Sequence, residues 1–226
     1  MKIISLLVIA LFSMLVFQTK RPPGVIRDID GNIYHTVKIG TQTWMLENLK
    51  TTKYSDGTTI PVLRENKLWI NDGIGACCYY NNDTANLKVY GLLYNALAIL
   101  NPRKLAPKGW HIPSDKEWQT LIDYLGGEKV AGGKLKEKGN KHWKENIDAT
   151  NKSGFTALPA GFRDCFIQVT GKNSCYDWLG LRTLFASSTV WGDKIIWVRD
   201  LQNINSMVIR KHGGGCSGIS VRCIKD

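Results

Sequence analysis

Ile112-Pro113-Ser114-Asp115-Lys116-Glu117-Trp118-Gln119-Thr120-Leu121-Ile122-Asp123-Tyr124-Leu125-Gly126-Gly127 is the stretch that says most about the fold. Ser114 followed three residues later by Glu117 makes a capping box, in which each side chain accepts a backbone N–H that the first helical turn leaves unpaired. Trp118, Leu121, Ile122 and Leu125 then recur at i, i+3, i+4 and i+7, an apolar stripe at helical spacing. Gly126-Gly127 ends the run, because glycine accepts the left-handed backbone of a helix C-terminus. The spacing predicts a helix over 115–125 with Trp118 in a core.

On either side the signals are those of strands and turns. Residues 25–39 read as a hairpin with Asp30-Gly31 at its tight turn. Asp28-x-Asp30-Gly31-Asn32 also looks like the opening of a calcium loop, but the twelfth position is Ile39, which cannot bind a cation. A turn is the better reading, and no metal is expected. Residues 41–49 continue as a strand, and a short helix is expected near 94–98, before Pro102. After Gly154 the pattern is one of short strands and Gly-rich loops, at 155–158, 195–198, 206–209 and 219–222. With no internal repeat, residues 25–226 read as one domain.

Before that domain, Met1-Lys2 and the apolar run Ile3–Phe17 have the form of a secretory leader. As a helix the run is about 22 Å long, short for a hydrocarbon core of about 30 Å. Residues 1–20 are therefore read as a signal peptide, with an uncleaved N-terminal anchor as the alternative, and 21–24 as a linker. Localisation is expected to be secreted, periplasmic or at the cell surface. The cysteine content is in keeping with this: six cysteines in an exported chain suggest disulfides. Cys165 and Cys175 flank a short loop and are the favoured pair, a closure worth about 2–3 kcal/mol. Cys77 and Cys78 are adjacent and would look for partners near Cys216 and Cys223. Buried free thiols are the alternative.

The chain has 226 residues, a net charge of +11, 22 glycines and eight tryptophans. A domain of this size buries roughly 70% of its unfolded surface and needs no metal to fold. The densest basic stretch, Lys129–Lys144, is interleaved with Glu128, Glu137 and Glu145 and reads as a solvated face. No zinc-finger, helix-turn-helix or RNA-binding motif accompanies it, so nucleic acid is not an expected partner.

Several segments together resemble the Fibrobacter succinogenes major paralogous domain. They are Asp30-Gly31-Asn32-Ile33-Tyr34, the run from Val37 to Leu49, Tyr90–Asn95, Gly109–Trp118, Gly154–Arg163 and Gly218–Cys223. The resemblance spans about residues 25–226 and implies a branch of the C-type-lectin-like fold, close to the formylglycine-generating enzymes. The expected architecture is α+β, a twisted, mainly antiparallel sheet with about two short helices and long loops. This chain departs from the pattern near Leu87 and at Ala106, where relatives often carry Cys, and at Ala186, where many carry Trp. The usual partners of Cys77 or Cys78 and of Cys223 are thereby missing.

The primary functional expectation is an exported, non-catalytic binding or adhesion module, with polysaccharide or another cell-surface component as the first ligand class to consider. Trp143, Trp178 and Trp191 stand in loop-like, polar surroundings and are the candidate sugar platforms, whereas Trp44, Trp110 and Trp118 belong to patterned, core-forming segments. The alternative is a thiol oxidoreductase like the formylglycine-generating enzymes. It lacks their cysteine pair, since 191–210 holds no Cys and Cys216 and Cys223 lie seven apart. His35, His111, His142 and His212 are dispersed without metal-ligand spacing, so no cofactor or catalytic residue is assigned. Glu47, Arg163 and Arg222 are expected to form a buried arginine–carboxylate bracket.

Overall fold

The computed structural model describes residues 24–71, 73–164 and 175–226; the leader expected over 1–20, most of the linker and Cys165 lie outside them. The chain opens with β1 (Val25–Arg27), β2 (Ile33–Ile39) and β3 (Gln42–Met45). There follow α1 (Asn66–Asn71), β4 (Cys77–Cys78), α2 (Thr84–Tyr90), β5 (Leu93–Tyr94), α3 (Ala96–Ile99) and β6 (Trp110–His111). The two longest helices, α4 (Asp115–Tyr124) and α5 (Glu128–Leu135), come next. The chain closes with β7 (Ala160–Arg163), β8 (Tyr176–Leu179), β9 (Arg182–Gly192), β10 (Ile195–Gln202), β11 (Val208–Gly213), β12 (Ile219–Ser220) and β13 (Ile224–Lys225).

These strands form two sheets. The smaller runs β1-β2-β3-β13-β6, and the larger runs β11-β10-β9-β12-β5-β4 with β7 and β8 joined at its side. Pairing is antiparallel except where β12 and β7 each meet β9 in parallel. The α+β class stands, with mainly antiparallel sheets.

The predicted hairpin at 25–39 forms as β1 and β2, paired Val25 to His35 through Arg27 to Ile33. Its turn needs no cation. The Asp28 carboxylate accepts hydrogen bonds from the Asp30 and Asn32 backbones, the Asn32 amide and the Tyr34 hydroxyl, and is thus satisfied by donors. Helix α4 also forms as expected, with both halves of the capping box in place and Trp118, Leu121 and Ile122 buried.

The number of helices is a correction: the described residues contain five rather than two. α5 carries Gly132-Gly133, a pair that weakens intrinsic helix propensity. Tertiary packing explains the choice. A Cβ on Gly132 would lie 2.3 Å from the Met207 carbonyl, and one on Gly133 would lie 2.5 Å from the Asp148 carbonyl, so only glycine lets this helix reach those loops. The segment 155–158 is not a strand; only Ala157 bridges, to Lys136.

Lys136 itself is fully buried, and its ammonium donates to the carbonyls of Ile147, Gln202 and Asn205. It ties α5 to two loops that have no ladder of their own. Burial pulls its pKa down to about 8.

The expected arginine–carboxylate bracket is also corrected. Arg163 and Arg222 are buried as expected, but neither pairs with a carboxylate among the described residues. Arg222 donates from Nε and Nη2 to Asn48 Oδ1 and from Nη1 to the Phe155 carbonyl. Its guanidinium lies 4.2 Å from the Phe155 ring centroid and 5.1 Å from that of Phe185. Arg163 donates to the carbonyls of Leu63 and Arg64 and to Asn66 Oδ1, and Glu47 turns outward to His35. Neutral acceptors and ring faces thus solvate the guanidinium groups. Carboxylate brackets occur elsewhere, at Arg182–Asp200 and at Arg199–Asp115–Arg210.

Replacing Arg222 with Ala would strip Asn48 and Phe155 of their donor and leave a cavity between two rings. The expected loss is about 3–5 kcal/mol, read as a lower urea midpoint of unfolding. A midpoint equal to wild type would show that the guanidinium does not hold the sheets together.

Candidate functional site

The structure separates the three candidate tryptophans. Trp143 is 1% exposed and belongs to the core. Its indole N–H donates to the Ala157 carbonyl, and the Lys136 ammonium lies 5.4 Å from its ring centroid. The polar neighbours that made it look like a loop residue belong to a loop wrapped over the core, with the indole turned inward; it is not a platform. Trp178 is 47% exposed and Trp191 is 51% exposed. They stand near opposite ends of β9, about 30 Å apart at the usual rise of a strand, and no single sugar ring could touch both.

Trp191 belongs to a built aromatic surface. Its ring stacks on His212 with centroids 4.3 Å apart and planes 14° from parallel. Trp197 meets Trp191 edge-on at 6.4 Å. Trp197 and His212 are cross-strand partners on β10 and β11, and the Arg210 guanidinium caps Trp197 at 3.3 Å from its centroid. Strand alternation puts Trp197 with Arg199, and Arg210 with His212, on one face of the sheet.

That surface is anchored at the start of α4. Arg210 donates from Nε and Nη2 to the Asp115 carboxylate, and buried Arg199 donates to it from Nη1. The Asp115 backbone N–H donates to Thr189 on β9, so all three strands are tied to one helix terminus. A carboxylate is favoured in the first turn by the helix dipole. Burial would raise the Asp115 carboxyl, but Arg210 and Arg199 outweigh it and hold it below the usual carboxylate range. Trp197, Arg210 and His212 were missed in the sequence. Alternation within 208–213 could have put Arg210 and His212 on one face, but the register against β10 is not a local property.

The cysteines offer a contrast. Cys77, Cys78, Cys175 and Cys223 are free, buried thiols, so the favoured Cys165–Cys175 pair is not formed. Cys216 is not among the free thiols. Neighbours on a strand face opposite sides; Cys77 therefore enters the main core cluster and Cys78 a smaller one with Cys175 and Trp69. Ala106 and Leu87 pack in the main cluster with Cys77 and Cys223. Burial pushes the Cys78 thiol up to about 11 and the Cys77 and Cys223 thiols higher still. A thiol in such surroundings is a poor nucleophile. Ellman's reagent is expected to react with none of these four at neutral pH in the native state and with all four after unfolding; rapid native labelling of any one would contradict the burial.

His111 is structural, as its place in the sequence suggests. Its Nδ1 lies 2.7 Å from Asp226 Oδ1 and its Nε2 lies 2.9 Å from Glu117 Oε1. Ionised carboxylates only accept, so both contacts are hydrogen bonds when the ring is protonated and each nitrogen donates. It joins β6 and the C-terminal residue to the capping box of α4. A 320 Å³ groove opens beside it, with Ile99, Leu105, Ala106 and Trp110 in its walls. Burial pulls the imidazole down, but Asp226 and then Glu117 overcome it and raise it above its ordinary value. This interaction is fully present below the unfolded value of about 6.5 and is lost as pH rises through the folded value. The melting temperature of the wild type should therefore fall between about pH 6 and pH 9 by more than that of a His111→Gln variant. Parallel curves would remove His111 as the group responsible.

Among the described residues no helix is long and apolar enough to cross a membrane. The model of the family described as the Fibrobacter succinogenes major domain matches residues 37–225. No curated protein and no solved structure matches the chain. The matched span runs from within β2 to β13 and takes in the larger sheet, most of the smaller one, the capped helix α4 and the Trp191 surface, and on that extent the chain belongs to the Fibrobacter succinogenes major domain family.

Proposed function

We propose that this protein is a non-catalytic binding module of the cell exterior that holds carbohydrate against the Trp191 surface. The observation that carries the reading is the stacked, half-exposed Trp191–His212 pair braced by Trp197 and Arg210. An indole held by neighbouring rings loses little conformational freedom when a ligand lands on it, and its apolar face suits the C–H groups of a sugar ring. Arg210, part-exposed on the same face, supplies donors for hydroxyl groups. The proposal includes export by the leader at 1–20 and a C-type-lectin-like fold, for which the two curled sheets with short helices are support.

The alternative, a thiol oxidoreductase, draws no support from the described residues. Its chemistry needs an accessible thiolate beside a partner Cys, and each free thiol here is buried.

A screen of the purified protein against polysaccharides and cell-wall fragments tests the reading. At least one polysaccharide class should bind, and Trp191→Ala should weaken that affinity about tenfold or more by calorimetry. Binding that is indifferent to Trp191, or a screen with no ligand, would refute it.

A further inference from the structure

The second exposed tryptophan has surroundings of a different chemistry. Trp178 is the penultimate residue of β8, just before the turn into β9, with φ at +69°. A left-handed backbone is rare for a bulky residue and carries a strain of about 1 kcal/mol or more. The indole is 47% exposed. The turn is held by three backbone hydrogen bonds: Leu181 N–H to the Trp178 carbonyl, Gly180 N–H to the Pro159 carbonyl, and Lys144 N–H to the Gly180 carbonyl. The last of these brings the basic loop at 138–146 against the turn.

Lys144 is placed by that contact. Its stem runs across Gly180, where an added Cβ would lie 3.3 Å from Lys144 Cγ and 3.5 Å from Cε. Gly180 also has φ at +80°, so a side chain there would meet both strain and Lys144. Arg182, 5.8 Å from the Trp178 centroid, braces the indole, but its charge is taken up by Asp200 in a two-pronged pair. Glu137 is engaged by His142. Lys144 is exposed and has no ion-pair partner among the described residues, with Glu145 the adjacent carboxylate in the chain. The turn thus carries an exposed indole two residues from Gly180, across which runs the stem of a lysine with no ion-pair partner among the described residues.

We infer that the Trp178–Lys144 turn is a second carbohydrate subsite, selective for sugar rings that carry a carboxylate, such as uronic acids. It rests on the reading of the domain as a glycan binder but uses a different surface. The indole takes the ring face, and Lys144 takes the carboxylate in a charge-assisted hydrogen bond. A neutral sugar gains the first contact only. The net charge of +11 draws anionic polymers to the whole surface, whereas the turn discriminates at one position.

Calorimetry with a hexamer of galacturonic acid and a neutral hexamer of galactose tests this. At low salt the wild type should favour the acidic hexamer by about tenfold, the scale of one hydrogen bond to a charged group. Lys144→Gln should abolish the preference while leaving the melting temperature unchanged, because the substituted group is exposed. Trp178→Ala should weaken the acidic hexamer about tenfold. Lys138→Gln, which lowers the net charge equally in the same loop, should leave the preference intact. No binding of the acidic hexamer, a preference that survives Lys144→Gln, or one that Lys138→Gln lowers equally, would overturn the inference. Trp191→Ala separates the two surfaces: it should spare the acidic preference, and loss of Lys144 selectivity with Trp191-dependent binding intact would leave the first reading standing alone.

Discussion

Residues 219–225 hold the two sheets in one piece. Within seven residues the chain supplies β12, set between β9 and β5 in the larger sheet, and β13, set between β3 and β6 in the smaller one. Val221 and Cys223, just before β13, accept hydrogen bonds from Leu49 and Met45. Arg222 lies between, buried, its charge solvated by Asn48, the Phe155 carbonyl and two aromatic faces. A guanidinium in such a place stays only because its donors find fixed acceptors, and those acceptors come from segments far apart in sequence. The C-terminal strands therefore complete the fold of elements made much earlier in the chain.

A second polar centre gives the candidate surface its rigidity. Asp115 serves at once as a first-turn residue of α4 and as the acceptor for Arg199 and Arg210. Arg210 also caps Trp197, whose edge meets Trp191. The exposed indole is thus linked through Trp197 and Arg210 to a helix start whose other cap residue, Glu117, is bonded to Ser114 and His111. Each link is short and charge-assisted or aromatic, which is the kind of support that holds a binding group in place before its ligand arrives.

Much of the architecture could be read locally. The capping box of α4 forms because Ser114 and Glu117 satisfy their own helix terminus, and the β1–β2 hairpin forms because Asp28 gathers donors from within its own turn. Neither needs a distant partner. α5 was illegible because its Gly132-Gly133 pair argues against a helix until the loops at 148 and 206–207 are known to press on it. Trp143 misled for the same reason: polar neighbours in the chain say nothing of which way an indole turns when the loop folds over a core. Spacing alone favoured a bridge at Cys175, which is instead a free, buried thiol, because spacing measures chain separation, while a disulfide requires two sulfurs on the same side of the same layer.

The sequence by itself determined the α+β class, the capped helix, the first hairpin and the family, since these depend on contacts a few residues apart or on the order of whole segments. Tertiary structure alone decided which tryptophans are surface and which are core, which thiols stay unpaired, and that Trp191, Trp197, Arg210 and His212 share a face. The physical reason is that strand register and sheet stacking are set by packing among residues far apart in the chain, 15 positions in the Trp197–His212 pair and 174 in the Asn48–Arg222 bond, and no local pattern encodes those separations.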